Sequence, residues 1–263
     1  MNTGKRTKIV ATIAYQNCEV PFLRSLYNAG MNVVRLNTAH LEPEQTTHIV
    51  KNVRAVSESI PLLIDTKGPE IRTTMLDQKI KIKEGALVSF KGDPTQKTTE
   101  DCIYTTYKDF VKDLSVGNTI LIDDGALGFE VVDKKSDELI CKALNTAELG
   151  SRKSINLPGI ITNLPSLNEK DKMYLQYAID NEIDFIAHSF VRHKQDIIDV
   201  KALLGDHAEK IRIIAKIENQ EGVNNIDEIL DHCYGVMIAR GDLGIEIPEE
   251  KLPGVQRLII KKC

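Results

Sequence analysis

The sequence lacks three features, and each absence excludes a class of protein. It has no apolar run long enough to cross a membrane, because the run that starts at Ile9 is soon broken by the polar stretch QNCE. It has no excess of basic residues, and its formal net charge of -4 argues against a nucleic-acid-binding protein. Its five cysteines include no CxxC pair, which favours reduced thiols over a disulfide framework or a zinc site. We therefore expect a cytoplasmic protein that binds neither nucleic acid nor a membrane.

The sequence does contain a repeated alternation of strand-like and helix-like patterns. One apolar stripe with helical spacing follows Pro43, another ends at Gly205, and Ser166 with Glu169 predicts a capping box ahead of a third helix. Continuous apolar strands separated by helices are typical of a parallel sheet that is covered on both faces. The strand-like runs lie at residues 8–13, 31–37, 61–66, 184–190, 212–219 and 235–240.

The pattern changes between about residues 73 and 157. Strand-like stretches there are joined by turns, with hardly a helical stripe among them, which indicates an all-β insert. The insert follows the third strand, at the end of a parallel barrel where active sites are built. We therefore expect an α/β fold with six βα units, too few to close an eight-stranded barrel. The expected units are a first barrel segment at 1–73, an inserted lid domain at 74–157 and a second, truncated barrel segment at 158–263.

Two charged residues stand within the fifth strand-like run. Lys216 and Glu218 share one face of that strand. Residues two apart on a strand are about 7 Å apart at the backbone, so we expect separate partners for the two charges rather than a direct pair. Glu218 and Asp242, which follows the next strand, offer hard oxygen ligands of the kind that Mg²⁺ or Mn²⁺ prefers.

Other charged residues lie near the carboxyl ends of the strands. Arg35, Lys67, Arg72 and Lys216 concentrate positive charge that suits phosphate oxygens, and Gly241 offers an exposed backbone amide. A divalent ion together with cationic donors is the equipment of phosphoryl transfer. The six histidines show no ligand spacing, so we expect each to be an ordinary surface or core residue.

Seven motifs resemble the pyruvate kinase family in their order and spacing. They are TKIVATI, GMNVVRLN, LLIDTKGPEIRT, ILIDDGALGFEV, INLPG, IAKIEN and MIARGDLGIEIP, and they extend from about residue 7 to the end of the chain. The resemblance implies a (β/α)8 TIM-type barrel with an inserted β-barrel lid. It implies a glycolytic enzyme that transfers the phosphoryl group of phosphoenolpyruvate to ADP, giving pyruvate and ATP, and that forms a homo-oligomer, a tetramer by resemblance.

The resemblance also implies roles for individual residues. Lys216 is similar to the catalytic lysine that stabilises the charge on the phosphoryl group in transfer and on the enolate oxygen. Glu218 and Asp242 are similar to the carboxylates that hold the divalent ion. The remaining expected site residues are Arg35, Gly241, Asp242 and Lys67 for the substrate, Arg72 and Lys153 for the nucleotide, and Asn37, Asp65 and the Thr66 carbonyl for K⁺.

The chain departs from the family pattern in three places. The family's first loop reads Gly-Pro-Ala-Ser where this chain has Ala14 to Asn17, and Ala39 stands where a serine hydroxyl usually completes the K⁺ site. The family's seventh and eighth strands and its regulatory C-terminal domain have no counterpart up to Cys263. We therefore expect a truncated chain, whose activity on its own is an open question.

Two alternative functions stay open. One is a magnesium-dependent aldolase or lyase that acts on pyruvate-like enolates, because such enzymes also use parallel barrels and paired carboxylates. The other is a non-catalytic chain that binds phosphoenolpyruvate or a protein partner. The β insert and Lys153 favour the kinase, because a carbon–carbon lyase needs no nucleotide clamp.

Overall fold

Residues 5–263, which the computed structural model describes, form fifteen strands and nine α-helices. The strands are β1 (Val10–Thr12), β2 (Val33–Asn37), β3 (Leu62–Asp65), β4 (Ile71–Arg72), β5 (Ile80–Ile82), β6 (Leu87–Lys91), β7 (Cys102–Tyr104), β8 (Thr119–Ile122), β9 (Leu127–Lys134), β10 (Leu139–Ala143), β11 (Ala147–Leu149), β12 (Ser154–Asn156), β13 (Phe185–His188), β14 (Arg212–Ile217) and β15 (Gly235–Ile238). The helices are α1 (Val20–Asn28), α2 (Pro43–Val56), α3 (Phe110–Asp113), α4 (Glu169–Asp180), α5 (Lys194–Leu204), α6 (Gln220–Asn224), α7 (Ile226–Leu230), α8 (Arg240–Glu246) and α9 (Leu252–Lys262). Short 3-10 helices lie at Tyr15–Asn17, Gly205–Glu209 and Glu249–Lys251. None of the helices in this stretch of the chain is long and apolar enough to cross a bilayer.

The first sheet contains six parallel strands in the order β1, β2, β3, β13, β14, β15. Each of the six predicted strand-like runs contains one of these strands, so the predicted βα units are confirmed. The first and last strands, β1 and β15, lie at opposite edges of the sheet. The architecture is therefore an incomplete TIM-type barrel, as the sequence predicted.

A single core joins this sheet to its helices. The predicted helical stripe behind Pro43 becomes α2, which buries Ile49 and Val53, and the stripe that ends at Gly205 becomes α5. Gly205 ends α5 with a φ of 53°, a backbone conformation that glycine adopts at little cost. Burying these stripes against the strands holds the carboxyl ends of the six strands at one edge of the sheet.

The insert forms a second sheet with its own core. Its seven strands run in the order β4, β12, β8, β9, β10, β6, β7, and a separate pair joins β11 to β5. The rings of Phe90, Phe110 and Phe129 are fully buried at its centre, with Phe90 contacting both of the others. The insert is joined to the barrel through β4 and β12, which pair with each other. The predicted domain bounds at residues 74 and 157 stay a prediction.

The predicted capping box of Ser166 and Glu169 is wrong. The N-cap of α4 is Asn168, whose side-chain oxygen accepts from the Asp171 amide at 2.8 Å, and Asp171 completes the box by accepting from the Asn168 amide at 3.3 Å. The Ser166 hydroxyl instead donates to Asp199 at 2.8 Å. Both Asn and Ser are good caps, and a cap at Asn168 also places the Asp171 carboxylate against the loop that follows β3.

Candidate active site at the carboxyl ends of the strands

A cavity of about 260 Å³ lies between the barrel sheet and the insert. The barrel contributes residues that follow the strands, and the insert contributes β12. Asn156 of β12 lies 3.5 Å from the Glu246 carboxylate of α8, so one side of the cavity is a contact between insert and barrel. Burial raises the pKa of Glu246. Residues that line the cavity include Glu70, Asn156, Phe190, Arg192, Asp242 and Glu246.

Lys216 lies between two buried carboxylates. Its Nζ is 2.9 Å from Glu218 Oε1 and 3.0 Å from Asp65 Oδ1. The lysine side chain is 10% exposed and both carboxylates are 1% exposed, so the three charges are removed from water together. The prediction that Lys216 and Glu218 have separate partners is wrong, because the long lysine side chain spans the distance that separates the two residues at the backbone.

The charges in this cluster shift each other's protonation. Burial alone lowers the pKa of Lys216, but the carboxylates of Glu218 and Asp65 outweigh it and raise that pKa above its ordinary value. Burial raises the pKa of Glu218, the Lys216 ammonium opposes this rise, and the charge of Asp242 adds to it. Lys216 is therefore a charged ammonium group at neutral pH.

Ser189 completes the cluster, although it is not among the predicted site residues. Its hydroxyl accepts from Lys216 Nζ at 2.7 Å, donates to the Thr66 carbonyl at 2.6 Å and lies 3.2 Å from Asp65 Oδ1. The Ser189 amide donates to the Thr66 hydroxyl at 3.0 Å. The one available signal was its place directly after β13, at the same edge of the sheet as the residues that were predicted.

Arg35 binds the opposite side of Asp65. Its Nε and Nη2 lie 2.6 and 2.5 Å from Asp65 Oδ2, and its Nη1 donates to the Thr12 hydroxyl at 3.0 Å. Asp65 therefore holds two cations, Arg35 and Lys216, on its two oxygens. Because Arg35 is half-buried and its guanidinium has N–H donors beyond these three, it can also bind an anion.

The three residues expected to bind K⁺ are neighbours. Asn37 and Asp65 are register partners on β2 and β3, and Thr66 follows directly. Asn37 Oδ1 accepts from the Ala39 amide at 3.1 Å, and the Thr66 carbonyl accepts from Ser189. Amide and carbonyl oxygens have a second lone pair, so this donor set fits a hard cation that shares them with the protein. The K⁺ site stays a prediction.

Glu218 and Asp242 come from neighbouring strand ends, just after β14 and in the first turn of α8. Glu218 Oε2 accepts from the Phe190 amide at 2.7 Å, while Asp242 and the adjacent Gly241 are exposed. Asp242 is close enough for its charge to act on Glu218. Two carboxylates placed this way repel each other, and a divalent ion between them would remove that repulsion, so the donor chemistry fits Mg²⁺ or Mn²⁺.

The loop after β3 is fixed by a buried carboxylate. Asp171 accepts from the amides of Lys67 and Gly68 at 2.8 and 3.1 Å, and burial raises its pKa. Gly68 has a φ of +74°, and a Cβ on it would lie 2.8 Å from the Ser189 side chain. The Lys67 ammonium is partly exposed and lies 3.6 Å from the Glu70 carboxylate.

The two residues expected at the nucleotide lie at the base of the insert. Arg72 is the register partner of Ser154, so Arg72 and Lys153 are close in space. Arg72 pairs with Glu70 at 2.5 Å and donates to the Arg152 carbonyl at 2.6 Å, and Lys153 pairs with Asp123 at 2.9 Å. Both ion pairs are partly exposed, so a phosphate can compete with the carboxylates for both cations.

The family model "Pyruvate kinase, barrel domain" matches residues 4–263. The chain is 46% identical over 261 residues to the pyruvate kinase of Borreliella burgdorferi, which covers 99% of this chain and 54% of that protein. It is 45% identical over 267 residues to the pyruvate kinase of Bacillus licheniformis, covering 98% and 46% of the two chains. It is 44% identical over 273 residues to "Pyruvate kinase, cytosolic isozyme" of Solanum tuberosum, covering 100% and 54%. The chain thus spans about half the length of the curated relatives it matches.

Proposed function

The chain belongs to the pyruvate kinase family, and on that premise we propose that the protein transfers the phosphoryl group of phosphoenolpyruvate to ADP, giving pyruvate and ATP. The observation that carries the proposal is the buried cluster at the carboxyl ends of β3 and β14. There Lys216 contacts Asp65 and Glu218, and Arg35 contacts Asp65 from the other side. Such a cluster brings two cations together near the ends of the strands, which supports the binding of a phosphorylated anion there.

In the proposed reaction an oxygen of the ADP β-phosphate attacks phosphorus, and the bond from phosphorus to the enol oxygen breaks. The resulting enolate takes up one proton at carbon and becomes pyruvate. Negative charge develops on the transferred group and on the enolate oxygen. Lys216, which its two carboxylate neighbours keep protonated, would stabilise both, and Arg35 would hold the substrate phosphate.

The metal and nucleotide roles are included in the same proposal. Glu218 and Asp242 would hold Mg²⁺ or Mn²⁺, which when bound neutralises phosphoryl charge. Asn37, Asp65 and the Thr66 carbonyl would hold K⁺. Arg72 and Lys153 would bind the phosphates of ADP, while Gly241 and Lys67 would contact phosphoenolpyruvate. The proposal also includes that the protein forms a homo-oligomer, a tetramer by resemblance, and that it is located in the cytoplasm.

The aldolase or lyase alternative has less support. A carbon–carbon lyase has no use for Arg72 and Lys153 at the base of the insert, and the family match covers the insert together with the barrel. The non-catalytic alternative makes a different prediction for turnover, so one assay tests it together with the kinase.

The direct test is a coupled assay of the protein expressed from its complete reading frame. Lactate dehydrogenase and NADH report pyruvate formed from phosphoenolpyruvate and ADP in the presence of Mg²⁺ and K⁺. We expect turnover that needs both substrates and stops when EDTA removes the divalent ion. Absence of pyruvate, with phosphoenolpyruvate still binding in calorimetry, would support the non-catalytic alternative instead.

Two lysine variants test whether the cluster around Lys216 is the catalytic site. Lys216→Met removes the ammonium and should lower kcat by about 10²–10³, the usual effect of losing one preorganised charge donor. Lys210→Met removes an exposed lysine just before the same strand and should leave kcat unchanged. If both variants kept wild-type kcat, the cluster around Lys216 would not be the catalytic site.

A further inference from the structure

Three metal-ligating side chains meet outside the cavity described above. The Cys18 sulfur, a Glu19 carboxylate oxygen and a His48 ring nitrogen all lie within 4.8 Å of one another. Among residues 5–263 this is the one group of three or more such ligand atoms within that distance. Cys18 is buried, whereas Glu19 and His48 are exposed, so the group has one fixed ligand and two at the surface.

Neighbouring contacts hold the three residues together. Cys18 and Glu19 lie between the 3-10 helix at Tyr15–Asn17 and the start of α1, and His48 lies on α2. Asn52, one turn after His48, donates to the Cys18 carbonyl at 2.9 Å and lies 3.2 Å from His48 Nε2. The Tyr15 ring packs edge-on against His48, with 5.7 Å between ring centroids. The segment before α1 is thus attached to α2 where the ligands meet.

We propose that Cys18, Glu19 and His48 form a second metal site, which binds Zn²⁺ or a similar borderline-soft divalent ion. Sulfur, imidazole and carboxylate together are a zinc ligand set, whereas Mg²⁺ prefers oxygen alone. Three protein ligands leave a fourth tetrahedral position for water.

The geometry needs only a small adjustment. Zinc–ligand bonds of about 2.0–2.3 Å place neighbouring ligand atoms roughly 3.5 Å apart, and all three ligand atoms already lie within 4.8 Å of one another, so no pair would have to approach by more than roughly 1.3 Å. Glu19 and His48 can move by that amount because their side chains are exposed, while Cys18 stays in place. The Cys18 thiol donates to the Tyr15 carbonyl at 3.1 Å, and burial and Glu19 raise its pKa. A bound ion would displace that proton.

An ion here would join two elements that neighbour the candidate active site. The segment before α1 follows β1, whose Thr12 contacts Arg35, and α2 follows the loop after Asn37. Binding to the folded protein would stabilise it by mass action. The site does not depend on the proposed phosphotransferase activity, because none of its ligands belongs to the cluster around Lys216.

The test is a calorimetric titration of metal-free protein, from its complete reading frame, with ZnCl₂. Each variant is compared with the wild type, and circular dichroism first establishes that it is folded. We expect Cys18→Ser and His48→Gln each to remove one equivalent of bound Zn²⁺, and Glu19→Gln to weaken its affinity about tenfold. Matched controls should keep that equivalent: Cys263→Ser, His207→Gln and Glu44→Gln replace residues of the same types outside the group.

Cobalt gives a second readout that activity does not influence. Co²⁺ bound to a thiolate has a charge-transfer band in the near ultraviolet, which should appear in the wild type and be absent from Cys18→Ser. His48→Gln keeps the test valid if Cys18→Ser is unfolded, because His48 is exposed. Equal Zn²⁺ stoichiometry and affinity in the wild type and in His48→Gln would overturn the proposal, as would loss of the equivalent only in Cys263→Ser.

Discussion

At the scale of single residues, Lys216 offsets the charge of two buried carboxylates, that of Glu218 alone and that of Asp65 together with Arg35. Lys216→Met would leave Asp65 and Glu218 buried, with Arg35 as the only remaining cation that contacts either one in the described chain. Removing one partner of a buried ion pair costs about 3–5 kcal/mol. We expect a loss of that size in the free energy of unfolding, measured by urea denaturation at pH 7 with EDTA present. Lys210→Met should change it by less than about 0.5 kcal/mol, and equal stabilities of the two variants would contradict the expectation.

His188 supplies a second prediction at this scale. It is fully buried, its Nε2 has no hydrogen-bond partner among the described residues, and burial lowers its pKa to about 4. Between pH 6.5 and 4 the unfolded chain therefore binds a proton that the folded chain does not. The contribution of His188 to the free energy of unfolding is fully present above pH 6.5. It falls by up to about 3 kcal/mol as the pH drops through this window.

The measurement is the free energy of urea unfolding across the same pH window. His188→Asn should lose less stability on acidification than the wild type, because it removes the group that takes up the proton on unfolding. His207→Gln replaces an exposed histidine and should keep the wild-type slope. A His188→Asn slope equal to that of the wild type would show that other groups carry the acid sensitivity.

Single residues were predictable where chain position alone decides their place. Asp65 ends β3, Glu218 follows β14, and Arg35 and Lys216 lie in the carboxyl-terminal halves of β2 and β14, so all four are near one edge of the parallel sheet. The pairing of Lys216 with Glu218 was not predictable, because it depends on which rotamer the flexible lysine side chain adopts. The Cys18 and His48 contact was not predictable either, since it joins two elements whose packing the spacing of cysteines and histidines does not encode.

At the scale of elements, the loop after β3 depends on Gly68. A Cβ there would lie 2.8 Å from Ser189 Cβ and 2.9 Å from Phe190 Cδ2, at a φ of +74°. Gly159 has nearly the same φ, +73°, with no atom within 4 Å of an added Cβ. Gly159→Ala should therefore cost only the conformational strain, about 1–2 kcal/mol.

Gly68→Ala should cost a further 1–3 kcal/mol, roughly, because the new methyl group overpacks against the residues that follow β13. Urea unfolding of the two variants side by side measures the difference. Gly68→Ala should also lower kcat, since the new methyl group would displace Ser189, which contacts Lys216. Equal losses of stability in the two variants would mean that the loop moves aside without cost.

Element types were predictable from periodicity, and caps were not. The stripe in α2 and the apolar runs of the four inner strands, β2, β3, β13 and β14, are buried on one face or both, and burial is what a periodic pattern reports. The N-cap of α4 is Asn168 rather than the predicted Ser166, because a tertiary contact of Asp171 with the loop after β3 favours a cap at Asn168. Local sequence does not contain that contact.

At the scale of the whole molecule, two cores meet at one cavity. The barrel core and the insert core share no buried apolar residue among those described, and the strands β4 and β12 connect them. The change of pattern near residue 73 made the insert predictable from the sequence. The contact between Asn156 and Glu246 was not, because it joins the two units across 90 residues of chain.

The last prediction concerns the two edges of the barrel sheet. Within residues 5–263 no strand pairs with the outer edge of β1 or of β15, and Val10 on β1 is 47% exposed. Unpaired edges of this kind present free amide and carbonyl groups to a second chain. We expect the 263-residue polypeptide, purified as a separate chain, to associate as its concentration rises in sedimentation velocity experiments.

Val10→Lys should reduce the association, because a charged edge residue opposes strand pairing. Leu203→Lys, which replaces an equally exposed apolar residue on α5, should not. A chain that sediments as a monomer at every concentration would contradict the expectation, and equal effects of the two variants would assign the association to general apolar exposure rather than to the edge of β1.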